Sequence, residues 1–142
     1  MLYLGIDAGT TALKVGLFDE RGIARAIASE EYTLITPSAD QVEFDPENYW
    51  QACVRVVHRA MTQANAQREE IVALAVSSQG QTTIAVDEQG RALRPALVWL
   101  DNRASEAARK IGAHFDPRDV YAATGNSEVV PMWTACKILW LK

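Results

Sequence analysis

Residues 2–18, LYLGIDAGTTALKVGLF, decide how the rest of the chain is read. Leu2–Ile6 are apolar and β-prone, residues 12–19 alternate well enough for a second strand, and Ala8-Gly9-Thr10-Thr11 is the turn between them. Asp19-Glu20-Arg21-Gly22 is a further turn, and residues 22–34 read as a longer third strand, so three antiparallel strands open the chain. Asp7 ends the first strand and faces a tight turn of small and hydroxylated residues. Backbone N–H groups and hydroxyls at Gly9, Thr10 and Thr11 suit phosphate oxygens. The Asp7 carboxylate suits a Mg²⁺ ion reached through water, and Lys14 adds positive charge. Asp-x-Gly-Thr is also ordinary hairpin chemistry, in which glycine serves the turn. It is not a P-loop, because Gly-x-x-x-x-Gly-Lys-Ser/Thr is absent and the turn joins two strands.

Outward from the hairpin, Asp45-Pro46-Glu47 marks a helix start: a capping carboxylate, proline at the first helical position, then an acid in the first turn. Trp50, Cys53, Val54, Val57, Met61 and Ala64 follow at helical spacing, which predicts an amphipathic helix to about residue 68. The apolar run 71–76, IVALAV, reads as a buried strand joined by a crossover, and turns polar at Ser77-Ser78-Gln79-Gly80-Gln81. Strands are expected at 82–87 and 96–100, the latter ending in Asp101-Asn102-Arg103, with helices at 103–112, 117–123 and from about 131 onward. The fold class is therefore α/β, a mixed sheet that opens β-β-β and continues α-β.

The composition of the 142 residues, 49% hydrophobic and 23% charged, is that of a folded domain and sets one core as the expectation. A net charge of −4 with no basic block disfavours a nucleic-acid or anionic-membrane partner. No apolar run approaches the ~20 residues of a membrane span. The N-terminus has neither the basic region nor the cleavage site of a signal peptide, so a cytoplasmic location is expected. Cys53 and Cys136 lie in no metal-binding cluster and read as buried thiols; His58 and His114 read as structural. The apolar, helix-like end VVPMWTACKILWLK suggests a piece of something longer.

The β-β-β-α-β order with Gly5-Ile6-Asp7-Ala8-Gly9-Thr10-Thr11 resembles the opening of the actin-like, ribonuclease-H-like ATPase domain. The whole chain resembles the FGGY carbohydrate kinases, the family of xylulokinase and glycerol kinase. The resemblance rests on the hairpin, Asp45-Pro46-Glu47 with Trp50, the glutamine-bearing turn at Gln79, the segment Leu93-Arg94-Pro95-Ala96-Leu97-Val98-Trp99-x-Asp101-x-Arg103, and Thr124-Gly125-Asn126 followed by Pro131 and Lys137-x-x-Trp140. Five such features in one order are specific.

That resemblance implies ATP and Mg²⁺ as cofactors, with Asp7 near the Mg-ATP phosphates and Gly9, Thr10, Thr11 and Lys14 at phosphate-loop positions. It places sugar contacts at Gln79, Gly80 and Gln81, and at Trp99 and Asp101, a flat apolar wall beside a hydroxyl-binding carboxylate. Glycerol kinases of the family carry an Arg-Glu pair and many xylulokinases Met-His where this chain has Gly80-Gln81. This departure, with the xylulokinase-like tail, favours a pentulose over glycerol as substrate. Asp101-Asn102-Arg103 equally reads as a cap for the following helix, Gln79-Gly80-Gln81 as a plain turn, and Trp140 as core. The family's general base follows a glycine in a later segment and its adenosine site lies in a second domain; no Gly-Asp or Gly-Gly pair occurs here. The piece alone is thus expected to be inactive, with that second domain as its partner and a homodimer as an open state. A glycerol or other polyol kinase, or a non-catalytic interaction module on the same half-fold, are the alternatives.

Overall fold

Three strands, β1 (Leu2–Ala8), β2 (Ala12–Phe18) and β3 (Ala24–Glu31), form the antiparallel opening read from the sequence. The structure, a computed structural model, describes all residues 1–142. β3 is shorter than expected because the Asp19 carboxylate accepts hydrogen bonds from the backbone of Arg21 and Ile23 and Gly22 takes a left-handed φ of 76°, which holds the chain in its turn. The chain folds as two units, residues 1–33 with 46–79 and residues 34–45 with 80–142.

In the first unit the sheet order is β3-β2-β1-β5, where β5 spans Ile71–Ser78. β5 runs parallel to β1, reached through helix α1 (Pro46–Ala64). The helix starts at the proline that the sequence marks. Its buried stripe is Ala52, Val56 and Ala60, one residue off the expected one, because small side chains let the helix approach Leu13, Val15, Leu17 and Ala28 closely. Trp50 is 59% exposed as a result. The helix ends earlier than expected where Asn65 turns left-handed at φ 49°. The expectation of a buried fourth strand also needs correction. β5 is an edge strand whose Val72, Leu74 and Val76 are exposed, since α1 packs over β2 and β3 rather than over it.

The second unit is built on a short pairing that the sequence did not announce, between β4 (Glu43–Phe44) and β6 (Ala96–Leu97). The strand expected at 82–87 reduces to single bridges, Thr83 with Leu97 and Val86 with Ala92, and the one at 96–100 to the two residues of β6. Helices α2 (Ser105–Gly112), α3 (Pro117–Thr124) and α4 (Thr134–Leu141) lie close to their expected places. α3 is capped by Asp116, whose carboxylate accepts from Arg118 N, and ends at Gly125 with φ 72°. α2 and α4 pack through Ala104, Ala107, Ala108 and Cys136, with Trp133 half-buried against them. No helix of the chain is long and apolar enough to cross a membrane.

Leu17, fully buried under α1, and Val72, on the open edge, should part company on truncation. Leu17→Ala is expected to cost about 2–5 kcal/mol in urea unfolding and Val72→Ala to stay within about 0.5 kcal/mol. Equal losses would contradict the placement of the core.

Candidate functional site

The β1–β2 register sets Asp7 directly opposite Lys14, and the β1–β5 register sets Asp7 beside Ser77. All three line one cavity of about 410 Å³ on the sheet face away from α1, where Gly5 and Gly16 leave the floor open and the Phe18 ring packs over Gly16. Asp7 and Lys14 are exposed there. Gly9 closes the turn: its N–H donates to Ala12 O at 3.1 Å, and a Cβ at this position would lie 3.0 Å from that oxygen. Its carbonyl accepts from the Tyr32 hydroxyl and, at 3.4 Å, from that of Tyr49. The Gly9 N–H is thus committed to the turn and its carbonyl to the two tyrosines, while Thr10, half-buried, and Thr11, exposed, complete the turn. The two tyrosine rings meet edge-on at 5.0 Å. Burial, reinforced by Tyr49, holds the Tyr32 hydroxyl protonated well above the usual tyrosine range, so it remains a donor to the hairpin. Gln79 belongs to this unit, its N–H donating to Ala8 O at 3.0 Å where β1 and β5 end together.

Gly80, Gln81, Trp99 and Asp101 belong to the second unit. Thr83 and Leu97 exchange backbone hydrogen bonds of 2.9 Å and Trp99 N–H donates to Thr82 Oγ1 at 3.2 Å, so the loop after Gln79 runs beside the segment that carries Trp99. Gln81 is exposed and takes a left-handed φ of 62°, while Trp99 is half-buried. The Gln81 side-chain Oε1 accepts from Thr134 N at 3.2 Å and from Thr134 Oγ1 at 3.4 Å. Lys137 on α4, fully buried, donates from Nζ to the carbonyls of Gln81, Val98 and Leu97 at 2.9, 2.8 and 3.4 Å.

Asp101 is fully buried beneath this surface. One oxygen accepts from Val42 N at 2.7 Å, and both accept from Arg103, whose guanidinium reaches on to Glu43 at 2.8 Å. Burial works against the Arg103 charge, but Asp101 and Glu43 outweigh it and raise its pKa further. Asp101 therefore presents no accessible oxygen. Nor does it cap α2, which starts at Ser105 after Ala104 with no side-chain cap; the carboxylate instead accepts from Arg103 N in a local turn. Trp140, expected in the core, is 41% exposed and carries Arg94 and Arg103 over its ring at 5.1 and 5.2 Å. Cys136 is buried but Cys53 only half-buried. His58 is exposed on α1, and His114 Nδ1 lies 2.7 Å from Lys110 O at a helix end.

Sequence reasoning missed the two tyrosines behind the hairpin and gave Lys137 no role. The one clue to Lys137 was a lone charge inside the apolar run Ala135–Leu141.

Residues 2–142 match the family model described as the FGGY family of carbohydrate kinases, N-terminal domain. The chain belongs to the FGGY family of carbohydrate kinases. It is 36% identical over 138 residues to the gluconokinase of Bacillus subtilis, covering 97% of this chain and 26% of that protein. With the xylulose kinase of Escherichia coli the identity is 35% over 141 residues, 99% of this chain and 28% of the relative. With the glycerol kinase of Acinetobacter baylyi it is 32% over 139 residues, 97% and 28%. The crystal structure of a ligand-bound xylulose kinase from Lactobacillus acidophilus superposes with a TM-score of 0.84 at 29% identity, over 99% of this chain and 28% of that one. The chain thus spans just over a quarter of the length of these FGGY relatives, and its fold is that of the actin-like sugar kinases.

The buried Asp101–Arg103 pair should be structural in the strong sense. Asp101→Asn removes one carboxylate from a buried guanidinium and is expected to lower stability by about 3 kcal/mol in urea unfolding. A loss under about 0.5 kcal/mol would mean that the pair is solvated.

Proposed function

We propose that this chain is the sugar-binding, N-terminal part of an ATP-dependent kinase that phosphorylates a hydroxyl of a pentulose such as xylulose, working in the cytoplasm. The reading is supported by the backbone pairing of the loop after Gln81 with the segment that carries Trp99, which brings a glutamine and a tryptophan onto neighbouring stretches of chain. A ring and one oriented amide suit a polyhydroxylated ligand, the ring covering its C–H face and the amide bonding its oxygens. Gly80-Gln81 offers no Arg-Glu grip, which supports a pentulose over glycerol. Gly80 leaves the approach open, with nothing within 4 Å of where a Cβ would sit. Gln79, whose N–H bonds Ala8 O, ties the end of β5 to β1 just before the loop. Asp101, buried with Arg103, supports the Trp99 turn from behind rather than touching the sugar.

At the hairpin, Thr10 and Thr11 would hold phosphate oxygens with their hydroxyls and N–H groups, and Lys14 would add a positive charge. Asp7 and Ser77 bring the only side-chain oxygens to this cavity, and a lone carboxylate suits a Mg²⁺ ion held mainly through its own waters. Bound Mg-ATP supplies the phosphoryl group and the neutralisation of its charge. Thr10, Thr11 and Lys14 would position the phosphates, and Gln81 and Trp99 the sugar. Phosphoryl transfer also needs a carboxylate to accept the hydroxyl proton. Asp101 is unsuited to that role; the family resemblance implies that the base and the adenosine site lie in a C-terminal domain, and residues 1–142 by themselves are expected to bind weakly and turn over nothing.

Kinetics of the full-length protein that carries these residues test the assignment. With D-xylulose as acceptor, Gln81→Ala is expected to raise the sugar KM about 10-fold or more, the loss of one or two hydrogen bonds. Asp7→Ala is expected to lower kcat by at least about 100-fold with little change in the sugar KM. Turnover of gluconate or glycerol but not of D-xylulose would overturn the substrate choice, and an active Asp7→Ala variant would remove the hairpin assignment.

A further inference from the structure

Lys137 is the largest fully buried side chain of the molecule and a cation, yet the geometry at its Nζ matches the ammonium protons to three backbone carbonyls and to no carboxylate. A buried ammonium is costly, and an apolar side chain of similar length would fill the same space without that cost. What an apolar side chain would not do is hold the loop. Two of the three carbonyls, Leu97 and Val98, lie on the segment that leads into Trp99, and the third is that of Gln81 itself. Gln81 also sits at φ 62°, a left-handed conformation that costs a non-glycine residue of this kind free energy unless its surroundings enforce it. A second contact from the same helix fixes the side chain. Thr134 N–H can only donate, so the amide end that meets it is Oε1, and Nε2 makes no bond within the chain.

We propose that Lys137 is a positioning residue for sugar binding: by clamping the Gln81 and Val98 carbonyls it holds Gln81 left-handed beside Trp99, so that Nε2 is presented as a donor to an acceptor oxygen of the substrate. The proposal rests on the reading that Gln81 contacts the sugar. Burial lowers the Lys137 pKa to about 8 despite the charge of Asp101, with Arg103 adding to the fall and Cys136 opposing it. Asp101, Arg103 and Cys136 are the charged and titratable groups that act on it, and Glu43 lies beyond them, paired to Arg103. Above that pH a neutral amine has two protons for three carbonyls. Sugar binding should therefore weaken as pH rises through about 8. Stability changes the other way: the folded pKa lies below the unfolded one, so the folded state gives up the Lys137 proton first and folding becomes more favourable as pH climbs from about 8 towards about 10. A sugar KM that rises while stability does not fall is something a purely structural lysine would not produce.

The test compares wild type with Lys137→Met in the full-length protein, with D-xylulose as the probe. In wild type the KM is expected to rise about 3-fold to 10-fold between about pH 7 and about pH 9.5, with kcat less affected. Lys137→Met is expected to have the raised KM already at about pH 7 and a flat profile. A folded Lys137→Met variant with wild-type KM and the same profile overturns the proposal. If that variant does not fold, the wild-type KM midpoint must coincide with the titration of the Lys137 Nζ by ¹⁵N NMR, and a different midpoint or a flat KM overturns it. If wild type does not use D-xylulose, the functional reading fails separately. Amide hydrogen exchange at 80–82 then decides: about 10-fold or greater loss of protection in Lys137→Met supports the clamp, and unchanged protection overturns it.

Discussion

The pairing of β1 on both of its edges is the constraint on which the first unit depends. β2 meets it antiparallel and β5 parallel, and the two registers together set Asp7 between Lys14 and Ser77. A slip of one residue in either pairing would turn Asp7 or its neighbours onto the face occupied by α1. Because α1 buries Ala52, Val56 and Ala60 against Leu13, Val15 and Leu17, the apolar face fixes that register, and the polar row on the other face is fixed with it. The hairpin's position thus follows from core packing on the far side of the sheet. Tyr32 and Tyr49, holding the Gly9 carbonyl from that side, add a local restraint to the same end.

In the second unit very little regular strand is present, and buried charge takes over the role of a sheet. Asp101, Arg103 and Glu43 tie the segment after β6 to β4, while Lys137 ties the same segment to the loop at Gln81. Both devices hold backbone by donor and acceptor rather than by apolar area. They specify one geometry at a cost in desolvation.

The elements with a period and a stop were legible in the sequence. β1–β3, the start of α1 at Pro46 and the stop of α3 at Gly125 all announced themselves through alternation or through proline and glycine. What failed was legible only through partners. IVALAV reads as buried because it is apolar, but burial depends on what packs on it, and here it lies on an edge. Residues 82–87 have strand-like composition, yet they find a neighbour only at single bridges. Trp140 reads as core from its spacing, and two arginines from distant positions hold it at the surface instead. Among the proposed site residues, Asp7 near the end of β1 and Thr10, Thr11 and Gln81 in turns stand out in the sequence by type and order. Their supports, Tyr32, Tyr49 and Lys137, do not, since a hydrogen bond to a backbone carbonyl leaves no mark in the residue it acts on.

On the proposed reading the chain carries a phosphate-binding hairpin at residues 7–14 and a sugar-binding surface around Gln81 and Trp99. Titrating the ¹⁵N-labelled protein with D-xylulose and, separately, with Mg-ADP, and following its amide resonances, tests this most directly. The account expects the sugar to move resonances of Gly80, Gln81 and Thr82 and the Trp99 indole, and the nucleotide to move those of Asp7, Thr10, Thr11 and Lys14. Sugar-induced shifts centred on the hairpin, or nucleotide shifts centred on Gln81, would contradict it.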